Sequence, residues 1–348
     1  MKNTGHVQSL QSPLDHAAQI VRHICHVAGP TSLVENLHDA HRRDGVLTAV
    51  RRHDTPALFS WLMSQLSYQG IADSVAEGYI ARHGNATWAD IAASVERSDL
   101  CPKLMAYSSF TRCGYVKSAR TCANPRRLDV CPLPTHPLRN GRLNQTAYSL
   151  FFFIRDIADG DLIGWIDRQL AAASATSSPL RLSQMRAALI EPMRSIYGVS
   201  DKVLAMALSS LLMLGKQRKH WFEVGASCVV IDTLVHNFLH RTGILRRLGA
   251  DHPYGMGCYR PGGCADLLQV IAQEIDVSVL NPKYPRVFPR FVQSAIWRYC
   301  AGNGLDICNG NRIDDRQRCE HVYCRLYYMC DRIALSPEVD KQGQLQPV

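Results

Sequence analysis

Apolar residues recur along most of the chain at steps of three and four. Ile20, Val21, Ile24 and Val27 form one such stripe, and Leu58, Trp61, Leu62 and Leu66 another. That period puts them on one face of a helix. It predicts helices near 15–28, 44–52, 55–67, 70–83 and 87–96, the last opened by Thr87 with Asp90 three residues on, as in a capping box. Helices resume at about 144–157, with Asn144 as N-cap, and at 160–173, before a Ser/Thr/Ala-rich linker at 174–178. An amphipathic helix over 180–193 and a second over 203–214 flank a turn at Gly198, and Asp232 opens a further helix that Gly243 closes. Cys228 to Ile231 is the only compact β-branched run, too short to seed a sheet. The expected fold class is all-α.

Residues 101–143 break this pattern. They carry Cys101, Cys113, Cys122 and Cys131, a proline-rich run from Pro132 to Pro137 and little periodicity, and so read as an irregular insertion tied by a ligand. The chain has 348 residues, 46% of them hydrophobic, enough for one large core or two smaller ones, which excludes intrinsic disorder. Lys and Arg outnumber Asp and Glu by 39 to 30, and the net charge of +9 favours a polyanionic partner. The first residues lack a basic start followed by an apolar run, so the expectation is a reducing, cytoplasmic setting. There the thirteen cysteines read first as metal ligands and second as small core residues. The strongly apolar stretch Tyr148 to Ile154 falls far short of the roughly 20 residues that cross a bilayer, so no membrane partner is expected.

Two helices joined at Gly198 make a hairpin whose backbone amides, at the start of the second helix, can point at a phosphate. Ile196-Tyr-Gly-Val-Ser-Asp-Lys202, then Ile231-Asp-Thr-Leu-Val235, and upstream Trp61-Leu-Met-Ser-Gln-Leu-Ser-Tyr-Gln69 together resemble the helix-hairpin-helix DNA glycosylase superfamily typified by endonuclease III. The resemblance reaches from about 55 to 100 and from 180 to 330. It departs from the family at Ser200, where a second hairpin glycine stands, at Leu234 and Asn237, in the length between Lys202 and Asp232, and in the 101–143 insertion. The resemblance implies a nucleophilic Lys202, an electrostatic partner in Asp232, and DNA contacts from Gln69, Gly198, Val199 and Ser200. An amine nucleophile must be unprotonated, and the positive end of a helix dipole favours that form. Taken singly, Lys202 also reads as a solvated helix lysine and Asp232 as a plain N-cap.

The resemblance further implies a four-iron, four-sulfur (4Fe-4S) cluster on Cys308, Cys319, Cys324 and Cys330. The last gap, five residues, agrees with the family, whereas the first two, ten and four, are longer. The plainer reading puts Cys319, Cys324 and Cys330 on one C-terminal helix over 315–334 as core residues, with Cys300 close by. Cys113, Cys122, Cys131 and His136 offer an alternative Cys₃His zinc site, and Cys258 and Cys264 could lend ligands to either group. Cys25 and Cys228 read as core.

The expected architecture is two-lobed. Residues 15–54 and 246–335 make one helical lobe, and 55–245, with the insertion 101–143 and the hairpin 180–214, make the other; 1–14 and 336–348 are flexible ends. The expected activity is that of a base-excision DNA repair glycosylase with AP lyase activity, monomeric and nucleoid-associated. Its partner would be double-stranded DNA holding a damaged or modified base that is flipped out of the stack. The rivals are a non-enzymatic helix-hairpin-helix DNA-binding protein and a zinc-finger-like protein that binds RNA.

Overall fold

Helices supply almost all the regular structure in the computed structural model, which describes residues 12–68, 71, 73–96, 101–175 and 180–336. Among the described residues the one sheet is a two-stranded ladder, Tyr115–Val116 against Thr121–Cys122, so the chain is all-α in class. No helix among them is long and apolar enough to cross a membrane. Gln69, residues 1–11 and 337–348 of the expected flexible ends, and residues 176–178 of the linker lie outside the described residues.

The chain divides into two compact units, Met1–Leu33 with Val229–Val348, and Val34–Cys228. Both ends thus share one unit. Residues 34–54, expected with the ends, belong to the middle, and 229–245, expected with the middle, belong to the ends.

In the unit made of both ends, Ser12 caps the helix Pro13–Ala28 by accepting from the Asp15 amide, so residues 13 and 14 are its first turn and not a loose end. Its stripe, including the fully buried Ile20 and Ile24, packs on the helices Cys264–Gln273 and Pro289–Cys300. The helix Thr233–Arg241 packs on Pro289–Cys300 as well, and Phe238 and Phe291 fill the core. The helix considered for 315–334 does not form. Asn309 accepts from the Asn311 amide at 3.4 Å and Asp314 from the Arg316 amide at 2.9 Å, local turns that compete with a helix. Downstream the chain is held against the end of the 233–241 helix, with the Ile333 amide on the Arg241 carbonyl and the Asp331 amide on that of Thr242.

In the middle unit, Thr55–Ser67 packs on Trp88–Glu96, Asn144–Phe152 and Asp201–Leu212, and Leu162–Ser174 on Arg181–Met193. Phe59, Tyr148, Phe152, Phe153 and Trp221 are fully buried there. The capping box forms: the Thr87 hydroxyl accepts from the Asp90 amide and donates to the Asp90 carboxylate at 2.6 Å. Asn144 is not a cap but the first helical residue, and its amide donates to the carbonyls of Leu133 at 2.6 Å and His136 at 2.7 Å, pinning the insertion. The insertion itself is a chain of short 3₁₀ turns around the two-residue ladder.

Candidate metal centres

Among the described residues, one group of donors is close enough to share a single ion. His236, on the second turn of the 233–241 helix, His252, Cys258 and Cys264 bring one ligand atom each to within 4.8 Å of one another. His236 Nδ1 lies 3.4 Å from Cys264 Sγ and 3.5 Å from Cys258 Sγ, and His252 Nε2 lies 3.4 Å from Cys264 Sγ. The other nitrogen of His252, Nδ1, donates to the Ala250 carbonyl at 2.7 Å, which leaves Nε2 with a free lone pair turned to the sulfurs. Three of the four are buried. The Cys258 thiol is held well below the thiol range by its hydrogen bond with Cys264, and Cys264 is pushed up by the same bond. These four residues can hold a metal ion, and N/S donation in this number suits zinc. Sequence reasoning set Cys258 and Cys264 aside as spare ligands and passed over both histidines. The signal was present for three of the four, because His252, Cys258 and Cys264 punctuate a stretch rich in Gly and Pro.

The C-terminal cysteines converge too. Cys308, Cys319, Cys324 and Cys330 line one pocket together with Tyr299 and Arg241. They lie on turns and not on a helix face, which removes the reading of three core thiols on one helix. Arg241 is 2% exposed, reaches Cys308 Sγ at 3.9 Å and is paired with Asp315. The Tyr299 hydroxyl is 3.2 Å from Cys324 Sγ, and the Arg332 amide donates to Cys330 Sγ at 3.3 Å. Buried Cys300 hydrogen-bonds Cys308 and draws its thiol down to about 7. Burial pushes Cys330 up to about 12. Cys25 is pushed up likewise, to about 12, and with Cys228 is a buried core residue as expected.

In the insertion, Cys113, Cys122 and Cys131 border a common cavity, and the fourth cysteine there is Cys101. His136 is not with them: its Nε2 is 2.9 Å from the Tyr148 hydroxyl and 3.3 Å from that of Ser94. The expected Cys₃His set is therefore corrected, since the imidazole is already engaged by two hydroxyls on the helices beneath.

The hairpin residues all lie in the middle unit. Arg181–Met193 and Asp201–Leu212 are joined through Gly198, whose φ of 72° suits glycine, and Lys202 falls in the first turn of the second helix, half-buried. Arg194 Nε donates to Asp201 at 2.7 Å and closes the turn. Ser149 accepts from the Tyr197 amide, and Thr146 donates to the Tyr197 carbonyl at 2.8 Å. Asp232 belongs to the other unit and is the N-cap of the 233–241 helix, accepting from the Val235 amide at 2.9 Å. No protein-family model, curated protein or solved structure matches the chain.

Proposed function

We propose that the protein is a base-excision DNA glycosylase acting on duplex DNA that carries a damaged or modified base. The observation that carries the reading is the convergence of Cys308, Cys319, Cys324 and Cys330 on one pocket beside the helix that Asp232 opens. In the resembling superfamily a four-cysteine cluster follows the helix that corresponds to Pro289–Cys300, and here the four cysteines follow that helix too. The thiol set fits a 4Fe-4S group: four sulfurs, a buried Arg241 to balance negative charge, and amide or hydroxyl donors at Cys324 and Cys330. Such a group, when bound, would fix the turns of 301–336 and supply iron capable of one-electron change.

In this reading the hairpin amides around Gly198 take a DNA phosphate, and the net charge of +9 supplies general attraction to the duplex. Lys202 attacks the sugar C1′ of the flipped nucleotide and expels the base, giving a Schiff base that permits strand cleavage. Asp232 stabilises the positive charge that develops on the sugar. A reading without chemistry, a DNA-binding helix-hairpin-helix module, draws on one observation: capping alone already accounts for the Asp232 carboxylate. Borohydride trapping on a panel of oxidised, alkylated, deaminated and mismatched duplexes separates the two. A covalent protein–DNA complex that is lost in Lys202→Gln, with duplex affinity kept, is the expected result. Binding without base release from any substrate would leave the module.

A further inference from the structure

The shape of the 101–143 insertion is not explained by a core of its own. Its elements are the 3₁₀ turns Pro102–Leu104, Pro125–Val130, Leu133–Thr135 and Leu138–Gly141, the short turn Tyr107–Phe110 and the two-residue ladder, all too short to be stable alone. The cysteines sit at the joints. Cys101 precedes the first turn, Cys113 comes two residues before the ladder, Cys122 ends it opposite Tyr115, and Cys131 follows Pro125–Val130. All four border one cavity of about 290 Å³. Lys103, Arg112 and Arg127 border it as well, and among the described residues no carboxylate does. Such a wall suits a negatively charged occupant.

The backbone repeats one device. The amide two residues after the cysteine is aimed at the sulfur from Tyr115 to Cys113, from Asn124 to Cys122 at 3.4 Å, and from Leu133 to Cys131. The same device recurs in the C-terminal group, from His321 to Cys319 and from Arg332 to Cys330. Backbone amides aimed at cysteine sulfurs are the donors that the sulfurs of a bound iron–sulfur cluster accept from, and a cluster held by four cysteines carries the net negative charge that the Lys103, Arg112 and Arg127 wall suits.

We propose that Cys101, Cys113, Cys122 and Cys131 ligate an iron–sulfur cluster of their own, held wholly within the Val34–Cys228 unit. A single zinc ion with bonds of about 2.3 Å would need its sulfurs about 3.8 Å apart. The His236 group, with its donor atoms within 4.8 Å of one another, comes close to that; among the described residues these four thiols form no such group, and they border a cavity. The centre also has a structural target. The Tyr197 hydroxyl donates to the carbonyls of Thr111 at 2.7 Å and Cys113 at 3.3 Å, so fixing Cys113 fixes the hairpin turn from below.

The proposal does not depend on the glycosylase reading or on the C-terminal centre. The test counts iron, acid-labile sulfide and zinc in the full chain purified without oxygen from iron-replete cells. Cys122→Ser and Cys101→Ser should each lose about four irons and about four sulfides relative to the parent, with zinc unchanged. Cys324→Ser should keep a share of that size with its visible absorbance, a measurement that holds even if a variant in the insertion folds poorly. Loss of zinc in place of iron from Cys122→Ser would overturn the cluster in favour of a single ion. Unchanged iron in both insertion variants, or a folded Cys324→Ser protein devoid of iron, would overturn the site.

Discussion

Replacing His252 by Ala tests the His₂Cys₂ group with little other disturbance, because this imidazole is half-buried on a loop, and outside the group its hydrogen bond among the described residues goes to the Ala250 carbonyl. Tetrahedral bonds of about 2.1 Å to nitrogen and 2.3 Å to sulfur put the two donors about 3.6 Å apart. The three N···S separations observed are 3.4 and 3.5 Å, so those contacts need part by only a tenth or two of an ångström, and all four donor atoms lie within 4.8 Å of one another. Little ordering is left to oppose binding. Affinity should then approach that of structural zinc sites, about 10–16 kcal/mol. Losing a mere outer partner of a ligand weakens such sites about 10- to 100-fold, so losing the ligand itself should cost at least about 100-fold, or about 2.7 kcal/mol. Competition against a chromophoric zinc chelator reads this directly. Zinc at about 1,000 times its Kd adds about 4 kcal/mol of stability, which for a unit of this size is about 8–16 °C in Tm. Binding should also release a proton, chiefly from Cys264, so affinity should fall as pH falls. A Tm indifferent to chelation, together with equal zinc retention by His252→Ala and the parent, would refute the argument.

Asp161 caps the helix Leu162–Ser174 through the Gly164 amide at 2.9 Å and pairs with His53 at 2.9 Å, so Asp161→Ala should cost about 1 kcal/mol in urea unfolding at neutral pH. Burial pushes its carboxyl up, but the Gly164 amide and His53 outweigh this and leave it below the usual range. Its contribution is therefore present above about pH 4 and lost as pH falls through the folded value, so parent and variant should converge in acid. Gly243→Ala should destabilise by about 2–4 kcal/mol in the same assay, since its φ is 82° and an added Cβ would lie 1.9 Å from an oxygen of Asp331, itself held by Arg246 and Arg247. Near-parent stability of that variant would show that Asp331 moves freely.

Most of the helices were legible because burial follows the three-to-four step, as at Leu58, Leu62 and Leu66. Leu33–Arg43, Trp221–Ser227 and Cys264–Gln273 were not. The first buries only Val34 and His41, the second is two turns long, and the third begins at Cys264, which read as a spare metal ligand. The C-terminal four cysteines could be read from order and a single matching gap, which constrain the chain locally. His236 could not, because nothing local distinguishes a histidine on a helix stripe from one that faces a loop folding back upon it. Cys101 was seen as a member of the insertion, and His136 as the fourth ligand of a Cys₃His set; Tyr148 and Ser94, which engage His136, come from helices on either side of the insertion.

Asp232 is where geometry and chemistry give competing accounts of one carboxylate, and a single substitution separates them. Its side chain accepts from the Val235 amide at 2.9 Å, a role that an asparagine oxygen fills equally well. Asp232→Asn therefore keeps the cap and removes the charge, whereas Asp232→Ala removes both. As a cap, Asn should change stability by no more than about 0.3–1 kcal/mol, the worth of a charge on the helix dipole, and Ala should cost about 1 kcal/mol. As the group that faces a developing sugar cation, Asn should slow base release about 100- to 1,000-fold in single turnover with duplex affinity intact. The two readouts are independent, since stability reports the hydrogen bond and rate reports the charge. Parent-like base release by Asp232→Asn, beside a measurable loss of stability in Asp232→Ala, would reduce this residue to its cap and move the electrostatic role elsewhere in the protein.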